Sequence, residues 1–173
     1  VAPDFLRQLL AVAVQRSFNC ITVDGDMSTN DTVIVLANGA AGAVEIVGDG
    51  EETDAFYVAL ERVCRELARM IARDGEGATK LVNIRVFGAR DEIEARQVGL
   101  SVANSSLVKT AVFGRDPNWG RILCAVGYAG VDLDPDEVSV SLCGTTIYEA
   151  GAGATFDQER LIAAMGDTDI PIE

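Results

Sequence analysis

A strongly polar run from Val23 to Asp31 (VDGDMSTND) lies between two apolar segments of the chain. Those segments, Cys20–Asp24 and Thr32–Ala37, have the composition of strands. Because burying unpaired carboxylates is costly, the run cannot enter a core, so the two predicted strands meet at a polar edge suited to binding or catalysis. The competing interpretation is a loop whose Asp, Ser and Asn side chains bond their own turn, and local chemistry alone slightly favours it.

The charge balance limits the classes of partner. Asp and Glu total 27 against 14 Lys and Arg, which gives a net charge of −13 at pH 7. An acidic surface repels phosphate groups, so we expect no nucleic-acid partner and no membrane partner. No apolar stretch approaches the length of a membrane-spanning helix. The 173 residues are 49% hydrophobic, enough for one domain or two small ones, and both ends are expected to continue in a longer protein.

The chain contains no His, the commonest general base and metal ligand. A Ser-His-Asp or Cys-His catalytic site therefore cannot be completed within it. The four cysteines lie far apart, each within an apolar run, and are expected to be reduced core thiols of a cytoplasmic protein. They are Cys20, Cys64, Cys124 and Cys143.

Periodicity and capping residues predict a mixed order of helices and strands. Helices are expected over 3–18 and 51–73, from Asp91 to about Asn104, after Asp116-Pro117, and from Thr155 to Gly166. Strands are expected at Cys20–Asp24, Thr32–Ala37, Leu81–Phe87 and Leu107–Phe113, with a hairpin turning at Cys143-Gly144. This order favours a layered α/β (α+β) sandwich. We expect a helix-and-sheet core part at 1–105 and a smaller C-terminal α/β subdomain, incomplete at its end, at 106–173.

The helices over 3–18 and 51–73 each have an apolar face. We expect both faces to cover a sheet that contains the strands Cys20–Asp24, Thr32–Ala37 and Leu81–Phe87. That arrangement places Leu67 in the core.

Asp24-x-Asp26-x-Ser28 after an apolar run is similar to the D-x-D-x-T/V signature of phosphohydrolases, whose first Asp attacks phosphorus. The fifth position should be Thr or Val, and the lysine and later acidic pair for magnesium have no obvious place. A calcium loop starting at Asp24 would need Gly at Thr29 and Glu at Val35. We therefore predict no metal site.

Glu76 lies in the sequence DGEGATK, between Gly75 and Gly77 and between a predicted helix and a predicted strand. Flanking glycines let a ligand approach closely, and the carboxylate offers a charge to a substrate ammonium. An ordinary solvated loop residue is the simpler interpretation and, for this motif alone, the safer one.

The segment GRDPNWG places Arg115, Asp116, Asn118 and Trp119 around a predicted helix start. A helix N-terminus can bind an anion. The structural interpretation, with Asp116 as the cap and Trp119 in the core, is preferred.

Taken together, these motifs resemble the bifunctional ornithine acetyltransferase family of arginine biosynthesis, also called glutamate N-acetyltransferases. The resemblance runs in register over essentially the whole chain, with a local departure at Met27. It is carried by RSFNCITVDGDMSTNDTVIVLANG (16–39), GEGATK (75–80), SSLVKTAVFGRDPNWGRILCAVGYAG (105–130) and the ending DIPIE.

The resemblance implies an αββα sandwich like that of N-terminal-nucleophile hydrolases. It also implies a precursor that cleaves itself before a Thr, giving an α chain and a β chain in an α2β2 assembly. The freed Thr takes acetyl from N-acetylornithine and passes it to glutamate, and some members also accept acetyl-CoA. No cofactor is implied. Since an N-terminal Thr can use its own α-amine as base, a chain without His fits this chemistry.

On this resemblance the chain is most of the β chain, with the Thr just upstream of Val1, and it is active only with its α chain. The matching substrate-binding position is Glu76, and no catalytic residue lies within the chain. The segment VDGDMSTND is a family signature, and its residues receive no individual roles. The alternatives are a non-catalytic scaffolding or regulatory domain and, with less support, the phosphohydrolase.

Overall fold

A computed structural model describes residues 1–173. Six α-helices, one short 3-10 helix and a five-stranded sheet confirm the mixed α/β class. The residues form two compact units: unit 1 comprises 1–21 and 26–74, and unit 2 comprises 22–25 and 75–173. The domain boundary expected between residues 105 and 106 lies inside unit 2, and that division stays a prediction.

Unit 1 consists of helix α1 (Pro3–Gln15), a 3-10 helix (Phe18–Cys20), helix α2 (Glu51–Arg73) and irregular backbone. Helix α2 has the predicted bounds, whereas α1 ends three residues before the predicted end. The two helices pack through small side chains, with Ala13, Cys64 and Ala68 buried. Small residues let helix backbones approach closely, so this contact needs few large apolar groups.

The strands predicted at Cys20–Asp24 and Thr32–Ala37 are not formed. A strand needs a neighbour to pair its backbone groups, and Thr32–Ala37 lies in unit 1, which contains no strand. Residues 22–25 belong to unit 2, but there Thr22 and Val23 hydrogen-bond to the helical residues Asn104 and Lys109 instead of pairing with the sheet. Ile34 and Leu36 are 71% and 91% exposed. Thr32–Ala37 is apolar, but the strand pairing that its composition predicts is wrong.

The predicted burial of Leu67 under that sheet is also wrong, because its side chain is 46% exposed. Helix α1 packs on the face of α2 that carries Cys64 and Ala68. The neighbouring flank of α2, with Val63, Leu67 and Ile71, stays exposed.

Unit 2 is built on a sheet with strand order β1-β5-β2-β3-β4. The strands are β1 (Leu81–Ile84), β2 (Val140–Leu142), β3 (Thr145–Glu149), β4 (Ala152–Gly153) and β5 (Asp169–Ile172). Strands β1 and β5 are parallel, with Leu81 opposite Asp169, and every other pair is antiparallel. The first strand ends three residues before the predicted Phe87. The predicted hairpin at Cys143-Gly144 is confirmed, with both residues at positive φ (50° and 74°).

Four helices complete unit 2: α3 (Glu92–Asn104), α4 (Ser106–Phe113), α5 (Trp119–Gly127) and α6 (Gln158–Ala164). The core joins residues of these helices to the sheet, and its largest fully buried side chains are Leu142, Ile147, Leu161, Met165 and Ile170.

The strand predicted at Leu107–Phe113 is in fact helix α4. Its β-branched content favoured a strand, but Ser105 caps a helix there by accepting a hydrogen bond from the Val108 N–H at 3.3 Å. Val108, Ala111 and Val112 then bury one face at helical spacing.

The predicted caps have mixed outcomes. Asp91 caps α3 as predicted, accepting from the Glu94 N–H at 2.9 Å. Helices α5 and α6 are capped by Asn118 and Asp157, so the predicted caps Asp116 and Thr155 are each two residues too early.

The cysteines are free thiols, but the prediction that all four lie in the core is wrong. Cys64 is buried and Cys143 is half-buried, while Cys20 and Cys124 are exposed.

Candidate functional site

Glu76 occupies the tip of a tight turn in unit 2. The Ala78 N–H donates to the Gly75 carbonyl at 2.9 Å, which closes the turn, and Gly77 has φ of +70°. A positive φ at the third position of such a turn suits glycine. The Glu76 carboxylate is exposed and makes no hydrogen bond or ion pair. It is therefore available to a ligand.

Lys80 fixes the chain just after this turn. Its half-buried Nζ donates to the carbonyls of Met165 at 3.0 Å and Gly166 at 2.8 Å, and also to that of Asp167. These carbonyls lie at the C-terminal end of α6, where acceptors lack helical partners and a cation is favoured. All three ammonium donors of Lys80 are thereby used.

The half-buried Cys143 thiol lies close enough to this lysine to be affected by its charge. Burial raises the pKa of the Cys143 thiol, Asp167 raises it further, and the Lys80 charge opposes both. The thiol is therefore neutral near pH 7, and it adds no nucleophile to this region.

The residues that begin the polar run, Thr22–Gly25, are fixed on helices α3 and α4 of unit 2. The Thr22 hydroxyl donates to Asn104 Oδ1 at 2.8 Å, and Lys109 Nζ donates to the Val23 carbonyl at 2.8 Å. Gly25 has φ of +93°, a conformation that favours glycine.

The rest of the run is an exposed loop with local hydrogen bonds. Asp31 accepts from the Ser28 N–H at 3.3 Å, and Ser28 Oγ accepts from the Asn30 N–H at 3.1 Å. The Thr32 hydroxyl donates to the Asn30 carbonyl at 3.0 Å. These bonds confirm the local-bonding interpretation for residues 28–31, whereas Val23 bonds to Lys109 of helix α4.

The segment GRDPNWG has a structural role, as preferred from its sequence. Asn118 Oδ1 accepts from the Arg121 N–H at 3.1 Å and begins α5. The Arg121 guanidinium donates to the Leu107 carbonyl at 3.1 Å and the Thr110 hydroxyl at 3.0 Å, which ties α5 to α4. The ring of Trp119 packs on Tyr148 with centroids 5.2 Å apart.

Other surface features offer weaker sites. A shallow depression of about 360 Å³ in unit 1 is lined by residues 45–53, including Glu45, Asp49, Glu51 and Glu52, which disfavour an anionic ligand. No group of three or more His, Cys, Asp or Glu residues is arranged to hold a metal ion. None of the helices combines the length and apolar character needed to cross a membrane.

The substrate-binding role of Glu76 stays a prediction, and sequence reasoning missed the tertiary contacts of Lys80, Asn104 and Lys109. One signal was available, since Lys80 and Lys109 are the only lysines of a strongly acidic chain. In the structure both donate to backbone carbonyls about 85 residues away along the chain.

Comparison with known proteins places the chain in a family. The ArgJ family sequence model matches residues 1–173. The arginine biosynthesis bifunctional protein ArgJ of Streptococcus thermophilus is 48% identical over 172 residues, which cover 99% of this chain and 43% of that protein. The chloroplastic ArgJ of Oryza sativa is 50% identical over 159 residues, which cover 91% of this chain and 34% of that protein.

A solved structure agrees with these matches. The crystal structure of the arginine biosynthesis bifunctional protein ArgJ from Bacillus halodurans superposes with a TM-score of 0.95 at 37% identity, covering 99% of this chain and 82% of that chain. The match confirms the predicted fold type, that of N-terminal-nucleophile hydrolases. The chain spans less than half the length of the two curated relatives. On these findings, the chain belongs to the ArgJ family.

Proposed function

We propose that this chain is part of an acetyltransferase that moves acetyl from N-acetylornithine to glutamate. The observation that carries the proposal is the Glu76 turn, which presents an exposed carboxylate without a protein partner. N-acetylornithine keeps a free δ-ammonium, and a carboxylate is the natural partner of an ammonium. Membership of a family named for arginine biosynthesis supports an amino-acid substrate of this kind.

The proposed chemistry uses a Thr upstream of Val1 as nucleophile. Its hydroxyl attacks the acetyl carbonyl of N-acetylornithine, the Thr α-amine takes the hydroxyl proton, and ornithine leaves after its nitrogen receives that proton. The acetyl group is then an ester of Thr. The glutamate amine attacks this ester, and N-acetylglutamate leaves as the Thr hydroxyl re-forms. No cofactor is needed, and acetyl-CoA is a second candidate acetyl donor.

In this proposal the chain works as a β chain beside an α chain of the same precursor, in an α2β2 assembly. The coverage of the relatives supports a divided protein: the chain spans 82% of the solved Bacillus halodurans chain but only 43% of the Streptococcus thermophilus protein. The precursor cleavage, the assembly and the expected cytoplasmic location remain predictions.

The test is an assay of acetyl transfer from N-acetylornithine to glutamate. The assembled protein, with the α chain and the upstream Thr, is expected to form N-acetylglutamate. Residues 1–173 alone are expected to form none, because they contain no nucleophile–base pair. An assembled, correctly folded protein without transfer would contradict the proposal, as would transfer by residues 1–173 alone.

A further inference from the structure

We propose that Lys80 is a positioning residue for Glu76, an inference that rests on the proposed function. In this inference, the bond between the Lys80 ammonium and the end of α6 keeps the Glu76 carboxylate where the substrate ammonium binds. Lys80 itself touches no substrate.

The first observation is that the backbone alone sets the position of Glu76. Its exposed side chain has no hydrogen bond or ion pair to hold it. The position of the carboxylate is therefore set by the position of the Gly75–Ala78 turn. Glycines on both sides make that turn conformationally permissive, so its position needs an external constraint.

The second observation is that Lys80 is the first side chain after the turn that ties this backbone to the core. Gly77 has no side chain, and Ala78 and Thr79 are exposed. The next fixed point is the Leu81 N–H, which donates to the Thr168 carbonyl at 2.8 Å as β1 begins. Lys80 thus lies between the turn and the sheet.

The third observation is that the segment to which Lys80 bonds is packed into the core of unit 2. Met165, which directly follows α6, is fully buried, and Leu161 is 1% exposed one turn earlier. The start of α6 is capped by Asp157, which accepts from the Arg160 N–H at 3.0 Å. Three carbonyls of this fixed helix end bind one ammonium, so the Lys80 head group has little freedom.

The competing account is that Lys80 only caps α6. A cation at a helix C-terminus stabilises the helix whatever the neighbouring turn does. The positioning role and the capping role predict different coupling between substitutions at Lys80 and Glu76. If Lys80 acts through Glu76, removing its charge has no further effect on substrate binding once Glu76 is neutralised. If Lys80 only caps α6, the factors by which Lys80→Met and Glu76→Gln each raise KM multiply in the double variant.

The experiment is a double-mutant cycle in the assembled enzyme, with kcat and KM for N-acetylornithine as readouts and thermal unfolding measured beside them. Lys80→Met is expected to raise KM by roughly tenfold, since small misplacements of binding groups are costly. Lys80→Arg, which keeps the charge and several donors, is expected to recover most of that loss. In a Glu76→Gln background, Lys80→Met is expected to change KM by less than about twofold.

Lys109→Met is the matched control, because it removes the only other lysine and its hydrogen bond to the Val23 carbonyl. Lys109→Met is expected to change KM by the same factor whether position 76 carries Glu or Gln. If Lys80→Met prevents folding, Lys80→Gln, which keeps one amide donor, replaces it in the cycle.

If the KM of the double variant rises by the product of the two single-variant factors, Lys80 does not act through Glu76. That result would overturn the inference while leaving the proposed function intact. An unchanged KM in Lys80→Met would also overturn it. Absence of acetyl transfer in the unsubstituted assembled enzyme would instead contradict the proposed function.

Discussion

The two units show different outcomes for similar apolar sequence. In unit 2, short apolar segments such as Asp169–Ile172 find neighbours and become strands around a shared core. In unit 1, Thr32–Ala37, which is richer in apolar residues, has no neighbouring strand; its Ile34 and Leu36 are exposed and its Val33 and Val35 are half-buried. The comparison teaches that an apolar, β-branched segment becomes a strand only where a partner is present to pair its backbone groups.

The largest expected effect comes from a matched pair of leucines, one in each unit. Leu142→Ala, in the buried β2 strand, is expected to lower the free energy of unfolding by about 2–5 kcal/mol, because it leaves a cavity in the core. Leu67→Ala, on the exposed flank of α2, is expected to cost less than about 1 kcal/mol in the chain alone. Urea denaturation of both variants measures this difference. Equal losses of unfolding free energy would contradict the proposed difference between the units.

Unit 1 also contains a cluster of polar contacts centred on Glu61. The Glu61 carboxylate binds the Tyr57 hydroxyl and forms ion pairs with Arg65 and with Arg16, the latter at 3.6 Å. The Tyr57 hydrogen bond, followed by Arg65 and Arg16, lowers the pKa of Glu61, and burial opposes this shift. Glu61→Gln is expected to cost about 1–2 kcal/mol of unfolding free energy near pH 7.

The pH dependence of that cost follows from the direction of the pKa shift. Because the pKa of Glu61 is lower in the folded chain, the stabilisation is present above its ordinary value of 4.5 and is lost as pH falls through the lowered value. Thermal unfolding of the unsubstituted and Glu61→Gln chains should therefore converge at low pH. A cost that stays constant down to acid pH would show that the carboxylate charge is not the cause.

A smaller effect is expected at the cap of α5 in unit 2. Asn118→Ala removes the acceptor for the Arg121 N–H and should cost about 1 kcal/mol. Asn118→Asp keeps an acceptor and serves as the control, with a cost well below that of Ala. Chemical denaturation distinguishes the two, and equal losses would assign the effect to the Asn118–Asp116 hydrogen bond instead.

Sequence reasoning succeeded where local signals were sufficient. Helix α2 was predicted with its observed bounds because 23 residues of amphipathic sequence leave little ambiguity. Helix α4 was misread as a strand because Val108, Thr110 and Val112 suit either structure and only the Ser105 cap decides between them. Thr32–Ala37 could not be judged locally, since its conformation depends on a partner elsewhere.

The residues of the candidate site likewise differ in whether local sequence predicts them. Glu76 is predicted because glycines on both sides mark it in the sequence and because the family resemblance implies a substrate-binding carboxylate at that position. Lys80 was missed because its partners, Met165 and Gly166, lie more than 80 residues further along the chain. Local patterns therefore predict the group proposed to meet a ligand, while the contacts of Lys80, proposed to fix its backbone, are visible only in the tertiary structure.

The most direct test of the account is the effect of Glu76→Gln on acetyl transfer by the assembled enzyme. The substitution keeps the size of the side chain and removes its charge. A charge-assisted hydrogen bond contributes about 1.5–3 kcal/mol, so kcat/KM for N-acetylornithine should fall roughly 10- to 100-fold. Glu149→Gln is the control, because Glu149 is exposed in the same unit and its side chain makes no hydrogen bond or ion pair. Glu94 is unsuited to that purpose, since its carboxylate accepts from the Arg90 N–H at 2.6 Å. Unchanged kinetics in Glu76→Gln, with folding and precursor cleavage intact, would contradict the account and leave Glu76 an ordinary loop residue.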